Sequence, residues 1–210
     1  MKTLFVFLLA LSWVSIASPV RAGESDTTHD ATHVETIVGI RHGELPPGGN
    51  LGQLSCRGLN RAMALPKLLI GRYGKPNFIF APNPAMKGHT PYSYVRPIMT
   101  IEPTAVWLAM PINTQIGAVD IPLLQQVLTN RDYEDSVVFV AWEHGNLDRL
   151  AKDLVKAYGG DPSTVPGWPA KDFDSIFVVR LTRRGDKTSV SFQHDHEDLT
   201  NRLSDTCPGF

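Results

Sequence analysis

Runs of apolar residues that end in polar, histidine-containing segments are the clearest pattern in this chain. The β-branched run Val34 to Ile40 leads into Arg41-His42-Gly43, and the most apolar run, Val137 to Trp142, leads into Glu143-His144-Gly145. Such runs predict buried strands that open into polar loops. The sequence therefore predicts two core strands, each of which ends at a histidine followed by a glycine.

Helical spacing of apolar residues separates these strands. It predicts helices over Ser55–Leu69, Asp120–Leu128 and Leu147–Tyr158. The segment Tyr92–Met110 is predicted to form either one helix or two shorter pieces, because Pro97 and Pro103 interrupt it. Short strands are predicted at 77–81 and 113–116, and a hairpin at 175–193. Strands that alternate with helices indicate an α/β fold, a three-layer α/β/α sandwich with a mostly parallel sheet and an antiparallel edge.

The first 22 residues have the pattern of a secretory signal peptide. Lys2 precedes an apolar run from Leu4 to Ala17, and Val20-Arg21-Ala22 places small residues at the two positions that a signal peptidase reads. The run is shorter than the roughly 20 apolar residues that span a bilayer, which favours a cleaved signal over an uncleaved anchor. We therefore expect a periplasmic or secreted protein without membrane association after cleavage, with a polar leader over 23–33 and one domain over 34–210.

Composition and cysteine content narrow the possible functions. The 210 residues carry a formal net charge of −1. Nucleic-acid-binding proteins usually carry an excess of basic residues, so no nucleic-acid partner is expected. Cys56 and Cys207 both follow the predicted signal. An oxidising compartment permits a disulfide between them, although two free thiols are the alternative.

The two predicted strand ends can form an anion site. Ligands of open α/β sheets bind beyond the carboxyl ends of the strands, so parallel neighbours would bring His42 and His144 into one cleft. Arg41 and Arg96, the latter at a predicted helix start, offer planar guanidinium groups to phosphate oxygens. A neutral His42 can attack phosphorus while a carboxylic acid protonates the leaving alkoxide. This chemistry requires no metal and no cofactor, because the arginines and histidines carry the positive charge.

The segment Arg41-His42-Gly43-Glu44 at a strand end resembles the signature of the histidine phosphatase superfamily, which has the phosphoglycerate-mutase-like fold. Segments 54–62, 96–100 and 137–145 are similar to further motifs of that family, in the same order. The resemblance, closest to the smaller branch, implies a phosphohistidine on His42, with Arg41, Arg96 and His144 completing the phosphate pocket. Expected export favours a phosphatase of small phosphomonoesters or phosphorylated polymers over a mutase. The alternative is a catalytically weak phosphate-binding or phosphotransfer protein of the same fold.

The identity of the proton donor is open at this point. The smaller branch often carries it on a glutamate in an insert, but segment 110–120 is short and contains only Asp120. The larger branch places an aspartate directly after the second histidine, where this chain has Gly145. Glu143 is the preferred candidate, followed by Asp120 and then Glu44.

Two other groups of residues are given no role in the predicted chemistry. The cluster His194-Asp195-His196-Glu197 resembles a set of metal ligands, and alternation would place its histidines on one face of a strand. Solvated surface is the favoured interpretation, and no metal site is predicted. The aromatic residues Trp142, Trp168 and Phe173 are expected to pack in the core.

Overall fold

The computed structural model describes residues 31–48, 51–85 and 92–209. The predicted signal at 1–22 and leader residues 23–30 lie outside these described residues. The strands are β1 (Thr32–Arg41), β2 (Phe78–Phe80), β3 (Val137–Trp142), β4 (Ser175–Arg184) and β5 (Lys187–His196). The helices are α1 (Cys56–Tyr73), α2 (Arg96–Leu108), α3 (Ile121–Leu128) and α4 (His144–Ala157), with short 3-10 turns at Arg131–Tyr133 and Pro162–Thr164.

The five strands form one sheet in the order β2-β3-β1-β4-β5. Strands β1, β2 and β3 are parallel, whereas β4 runs antiparallel to both β1 and β5. Successive core residues of β1 face opposite sides of the sheet: Ile37 packs with residues of α3 and α4, and Val38 packs with residues of α1 and α2. The predicted three-layer sandwich with an antiparallel edge is confirmed.

Helix α1 begins where the sequence predicts. The Ser55 hydroxyl accepts a hydrogen bond from the Gly58 amide at 3.1 Å, and the helix continues past Pro66 until Gly74, whose φ of 80° ends it. Helix α2 is a single helix that starts at Arg96, with Pro97 in its first turn, where a missing N–H costs nothing, and Pro103 further on. The alternative of two shorter pieces is therefore wrong.

Several predicted elements need correction, among them the start of α2, which lies at Arg96 and not at the predicted Tyr92. Strand β1 begins at Thr32, so the last two residues assigned to the polar leader pair with β4. The strand predicted at 113–116 is absent among the described residues; only isolated bridges join Phe80 to Asn113 and Asn83 to Gly117. Helix α4 begins at His144, three residues earlier than predicted, because the side chain of Glu143 caps it.

The C-terminal segment is tied to the start of α1. Cys56 and Cys207 form a disulfide with their Cα atoms 4.3 Å apart. The side-chain amide of Asn60 donates hydrogen bonds to the carbonyls of Ser204 and Thr206, at 2.9 and 2.8 Å. Of the helices in the described ranges, none has the length and apolar character needed to cross a membrane.

Candidate active site

The carboxyl ends of β1 and β3 bring the two predicted histidines to one edge of the sheet. The strands are parallel neighbours with Arg41 opposite Trp142, and the His42 amide donates to the Trp142 carbonyl at 2.9 Å. His42 therefore lies beside the residues that follow β3. His144 is the first residue of α4, so β3 passes directly into a helix N-terminus and not into the predicted loop.

His42 is held as a buried, neutral imidazole. Only 2% of it is exposed, and its Nδ1 lies 2.8 Å from the carbonyl oxygen of Gly43. A carbonyl can only accept a hydrogen bond, so Nδ1 carries the proton and Nε2 keeps its lone pair. The pKa of His42 is lowered to about 3, mainly by burial and also by the positive charges of Arg96 and Arg41, while the hydrogen bond to the Gly43 carbonyl acts in the opposite direction.

Two glycines allow the loop after His42 to lie directly on α1. A Cβ at Gly58 would stand 2.7 Å from the carbonyl oxygen of Glu44, and one at Gly43 would stand 3.0 Å from Gly58. The Ser55 amide donates to the same Glu44 carbonyl at 2.8 Å. Backbone contact at this distance fixes the loop, and with it the position of His42.

The guanidinium group of Arg41 is buried against the segment before β4. Its Nη1 donates to the carbonyls of Ala170 and Asp172 at 2.8 and 2.7 Å, and its Cζ lies 3.8 Å from the centre of the Phe173 ring. Its Nε is buried and has no hydrogen-bond partner among the described residues. A buried donor without a partner is costly in a folded protein, which makes this nitrogen suited to an anion's oxygen.

Arg96 reaches the same site from the first residue of α2. It is 4% exposed, and its Cζ lies 4.8 Å from the ring of Tyr94, whose own ring stands 5.7 Å from that of His42. The buried hydroxyl of Thr100 accepts from the Gly43 amide at 2.9 Å and donates to the Arg96 carbonyl at 2.8 Å. This hydroxyl joins the start of α2 to the loop after His42.

Glu143 is the candidate carboxylate that faces these groups. It accepts from the Asn146 amide at 3.0 Å and contacts Nδ1 of His144. Burial lowers the pKa values of Arg41, Arg96 and His144, and the negative charge of Glu143 acts in the opposite direction on all three. Because β3 ends at Trp142, Glu143 lies outside the strand, and strand alternation does not turn its side chain away from His144.

The other two candidate carboxylates are engaged elsewhere. Asp120 caps α3, where it accepts from the Leu123 amide at 3.4 Å. Glu44 accepts from Nη2 of Arg61 at 2.8 Å and lies 3.4 Å from Nε of Arg57. Each of these contacts satisfies the carboxylate away from the two histidines.

Sequence reasoning missed three residues of the site. Tyr94 and Thr100 contact His42 and the loop after it, but neither has a pattern that sets it apart from ordinary packing residues. Phe173 was expected to pack in the core, as Trp142 and Trp168 do; instead its ring covers the Arg41 guanidinium and stands 6.3 Å from the His42 ring. Only its place in the loop before a predicted strand could have pointed to it.

The cluster at 194–197 is part of the structural framework. His194 Nε2 lies 2.7 Å from the Ser175 hydroxyl, and Asp195 accepts from the Tyr73 hydroxyl at 2.7 Å. Glu197 is 1% exposed and pairs with the fully buried Arg61, so the expectation of a solvated surface is wrong at this position. Burial raises the pKa of Glu197 to about 8. No group of three or more potential metal ligands is found in the described ranges.

Comparisons with solved structures identify the fold. A proposed phosphohistidine phosphatase, SixA from Nakamurella multipartitia, aligns with a TM-score of 0.50 and 16% identity, over 77% of this chain and 96% of that one. A mycobacterial glucosyl-3-phosphoglycerate phosphatase aligns with a TM-score of 0.51 and 14% identity, over 77% and 97%. Its complex with inorganic phosphate gives the same score and identity, over 76% and 95%. The sequence matches no protein-family model and no curated protein.

The chain thus has the phosphoglycerate-mutase-like fold that the sequence resemblance implied. The alignments cover 77% of this chain and 96–97% of the matched chains. At 14–16% identity this likeness establishes the fold alone. The activity has to be argued from the site.

Proposed function

We propose that this protein is an exported phosphatase of the histidine phosphatase superfamily that hydrolyses small phosphate monoesters through a phosphohistidine on His42. The proposal rests mainly on the state of His42, which is a buried, neutral imidazole whose Nε2 keeps its lone pair. The charges of two buried arginines, Arg41 and Arg96, and of His144 act on this imidazole. A neutral nucleophile flanked by fixed cations is what attack on a phosphate dianion requires, because the cations hold the anion and leave the lone pair available.

In the first step, Nε2 of His42 attacks phosphorus in line with the ester oxygen. The N–P bond forms as the P–O bond to the leaving group breaks, and the protonated carboxyl of Glu143 gives its proton to the departing alkoxide. Arg41 and Arg96 bind the phosphoryl oxygens, and the free Nε donor of Arg41 supplies one of the hydrogen bonds. His144 donates another hydrogen bond to a phosphoryl oxygen. It lies at the N-terminus of α4, where the helix dipole also favours a bound anion.

In the second step, the carboxylate of Glu143 takes a proton from water, and the oxygen of that water attacks phosphorus. The N–P bond breaks, inorganic phosphate leaves and His42 returns to its neutral form. Position 145 supports this role for Glu143. A Cβ built at Gly145 would stand 3.3 Å from Glu143 Oε2, so this carboxylate lies beside the position where the larger branch of the superfamily carries its aspartate.

Export is the second part of the proposal. The signal-like pattern of residues 1–22 motivates it, and the disulfide between Cys56 and Cys207 fits an oxidising compartment. Expression with the full N-terminus in a bacterial host, followed by mass analysis of the periplasmic fraction, tests it. We expect a mature chain that begins at Gly23; an intact N-terminus in the cytoplasmic or membrane fraction would contradict export.

Steady-state turnover tests the enzymatic proposal. Purified protein should release phosphate from p-nitrophenyl phosphate over many turnovers, and His42→Ala should reduce kcat by several orders of magnitude while its fold, checked by circular dichroism, persists. Calorimetry with inorganic phosphate or vanadate distinguishes the alternative function, phosphate binding or phosphotransfer, from catalysis. Binding of these anions without turnover, across a panel of esters and pH values, would show a phosphate-binding or phosphotransfer protein instead.

A further inference from the structure

A large cleft adjoins the phosphate site on the side of the loop after His42. It has a volume of about 850 Å³, within the range of pockets that enclose whole small-molecule ligands. Most of its lining is apolar: Leu45, Pro46, Pro47, Leu54, Leu59 and Met99. We call this space the leaving-group cleft.

The leaving-group cleft borders the phosphate site at Phe173. Glu44 and Leu45, which line it, follow Gly43 directly in the chain, and Met99 precedes the Thr100 hydroxyl that holds the Gly43 amide. Phe173 belongs to both spaces, since its ring covers the Arg41 guanidinium and also lines the cleft. An ester whose phosphate is bound by Arg41 can therefore extend its alcohol portion past the Phe173 ring onto this apolar surface.

The charged groups in the lining are already paired. Arg57, the one cation among the described lining residues, lies 3.4 Å from Glu44 and 3.2 Å from Asp205, and it donates to the Leu203 carbonyl at 3.2 Å. Glu44 also accepts from Arg61. A second phosphate or a carboxylate on the substrate would find no uncommitted cation here among the described residues.

From this combination we infer that the preferred substrates are phosphate monoesters of apolar alcohols, alkyl or aryl, and not sugar phosphates or esters that carry a second anion. The inference rests on the proposed phosphatase function and adds the substrate class. Its physical basis is the burial of apolar surface, which favours binding by about fourfold for each methylene removed from water.

A series of n-alkyl phosphates, used as monomers in solution, tests the inference. From ethyl to hexyl phosphate, kcat/KM should rise by roughly two- to fourfold for each added methylene, and glucose 6-phosphate and phosphoserine should be poorer substrates than hexyl phosphate. A flat series, or a preference for the sugar phosphate or for phosphoserine, would overturn the inference and leave the phosphatase proposal intact. Failure to hydrolyse any ester, p-nitrophenyl phosphate included, would instead overturn the proposed function.

A matched pair of variants locates the effect in the cleft. Met99→Gln places a polar group of similar shape in the apolar lining and should flatten the rise in kcat/KM with chain length. Met63→Gln is the same change on α1 at a residue that is 60% exposed and does not line the cleft, and it should leave the series unaltered. Equal slopes in both variants and the unaltered protein would show that the alkyl chain binds elsewhere.

Discussion

The low pKa of His42 makes protein stability depend on pH in a way that can be worked out from the structure. In the unfolded chain this imidazole titrates near 6.5, whereas burial in the folded state lowers its pKa to about 3. Between these values the unfolded state binds the proton and the folded state does not. Protonation therefore favours unfolding as pH falls below 6.5, and the penalty stops growing near pH 3.

The linkage relation gives the size of the effect. At about pH 7.5 the penalty is negligible, and at about pH 4.5 it reaches roughly 2.7 kcal/mol, since each unit of difference in pKa is worth about 1.4 kcal/mol. The variant His42→Gln has no proton to bind and lacks this term. Between these two pH values, the free energy of unfolding of the unaltered protein should therefore fall by about 2.7 kcal/mol relative to that of the variant.

Urea unfolding followed by tryptophan fluorescence, in buffers without phosphate, measures this difference. His33→Gln is the matched control, because His33 is exposed and Asp135 raises its pKa, so it gives no such loss on acidification. Nuclear magnetic resonance supplies a direct reading: the His42 imidazole should stay neutral down to about pH 4.5. A difference that does not change with pH, or a His42 resonance that titrates near its ordinary value, would refute the reasoning.

Glu143→Gln should lower kcat/KM, which reports formation of the phosphohistidine and not the shared hydrolysis step, by about 10²–10⁴-fold for alkyl esters but much less for p-nitrophenyl phosphate, whose leaving group needs little protonation. Asp120→Asn is the control, and equal losses of kcat/KM on both substrates would exclude proton donation. The double variant Cys56→Ala, Cys207→Ala should have a free energy of unfolding lower by about 3–5 kcal/mol, because the disulfide links residues 151 positions apart. An unchanged urea midpoint would contradict this. Phe173→Leu removes the aromatic face over the pocket arginine and should weaken inorganic phosphate inhibition by roughly two- to fivefold, measured as Ki.

Much of the site could be predicted because it depends on strand ends. Two apolar runs that each terminate at His-Gly place His42 and His144 at the same sheet edge once the strands are parallel neighbours, and this is the register found. Arg96 could be predicted near a helix start, although the helix was expected to begin at Tyr92 and to be interrupted at Pro97. These are local signals that a single sequence contains.

The remainder depends on contacts between distant segments. The ring of Phe173 meets Arg41 only because β4 returns antiparallel to β1, and nothing near residue 173 in the sequence indicates that partner. The burial of Glu197 follows from an ion pair with Arg61, 136 residues away. The orientation of Glu143 depended on whether β3 ends at 142 or 143, and a one-residue boundary is beyond what apolar patterning resolves.

The most direct test of the phosphohistidine mechanism is to trap the intermediate. Enzyme mixed with excess p-nitrophenyl phosphate and denatured within milliseconds in alkali, which preserves phosphohistidine, is digested and examined by mass spectrometry. The account predicts one phosphoryl group on the peptide that contains His42, formed and lost at rates compatible with kcat and absent from His42→Ala. Phosphate on another residue, or full turnover by His42→Ala, would contradict it.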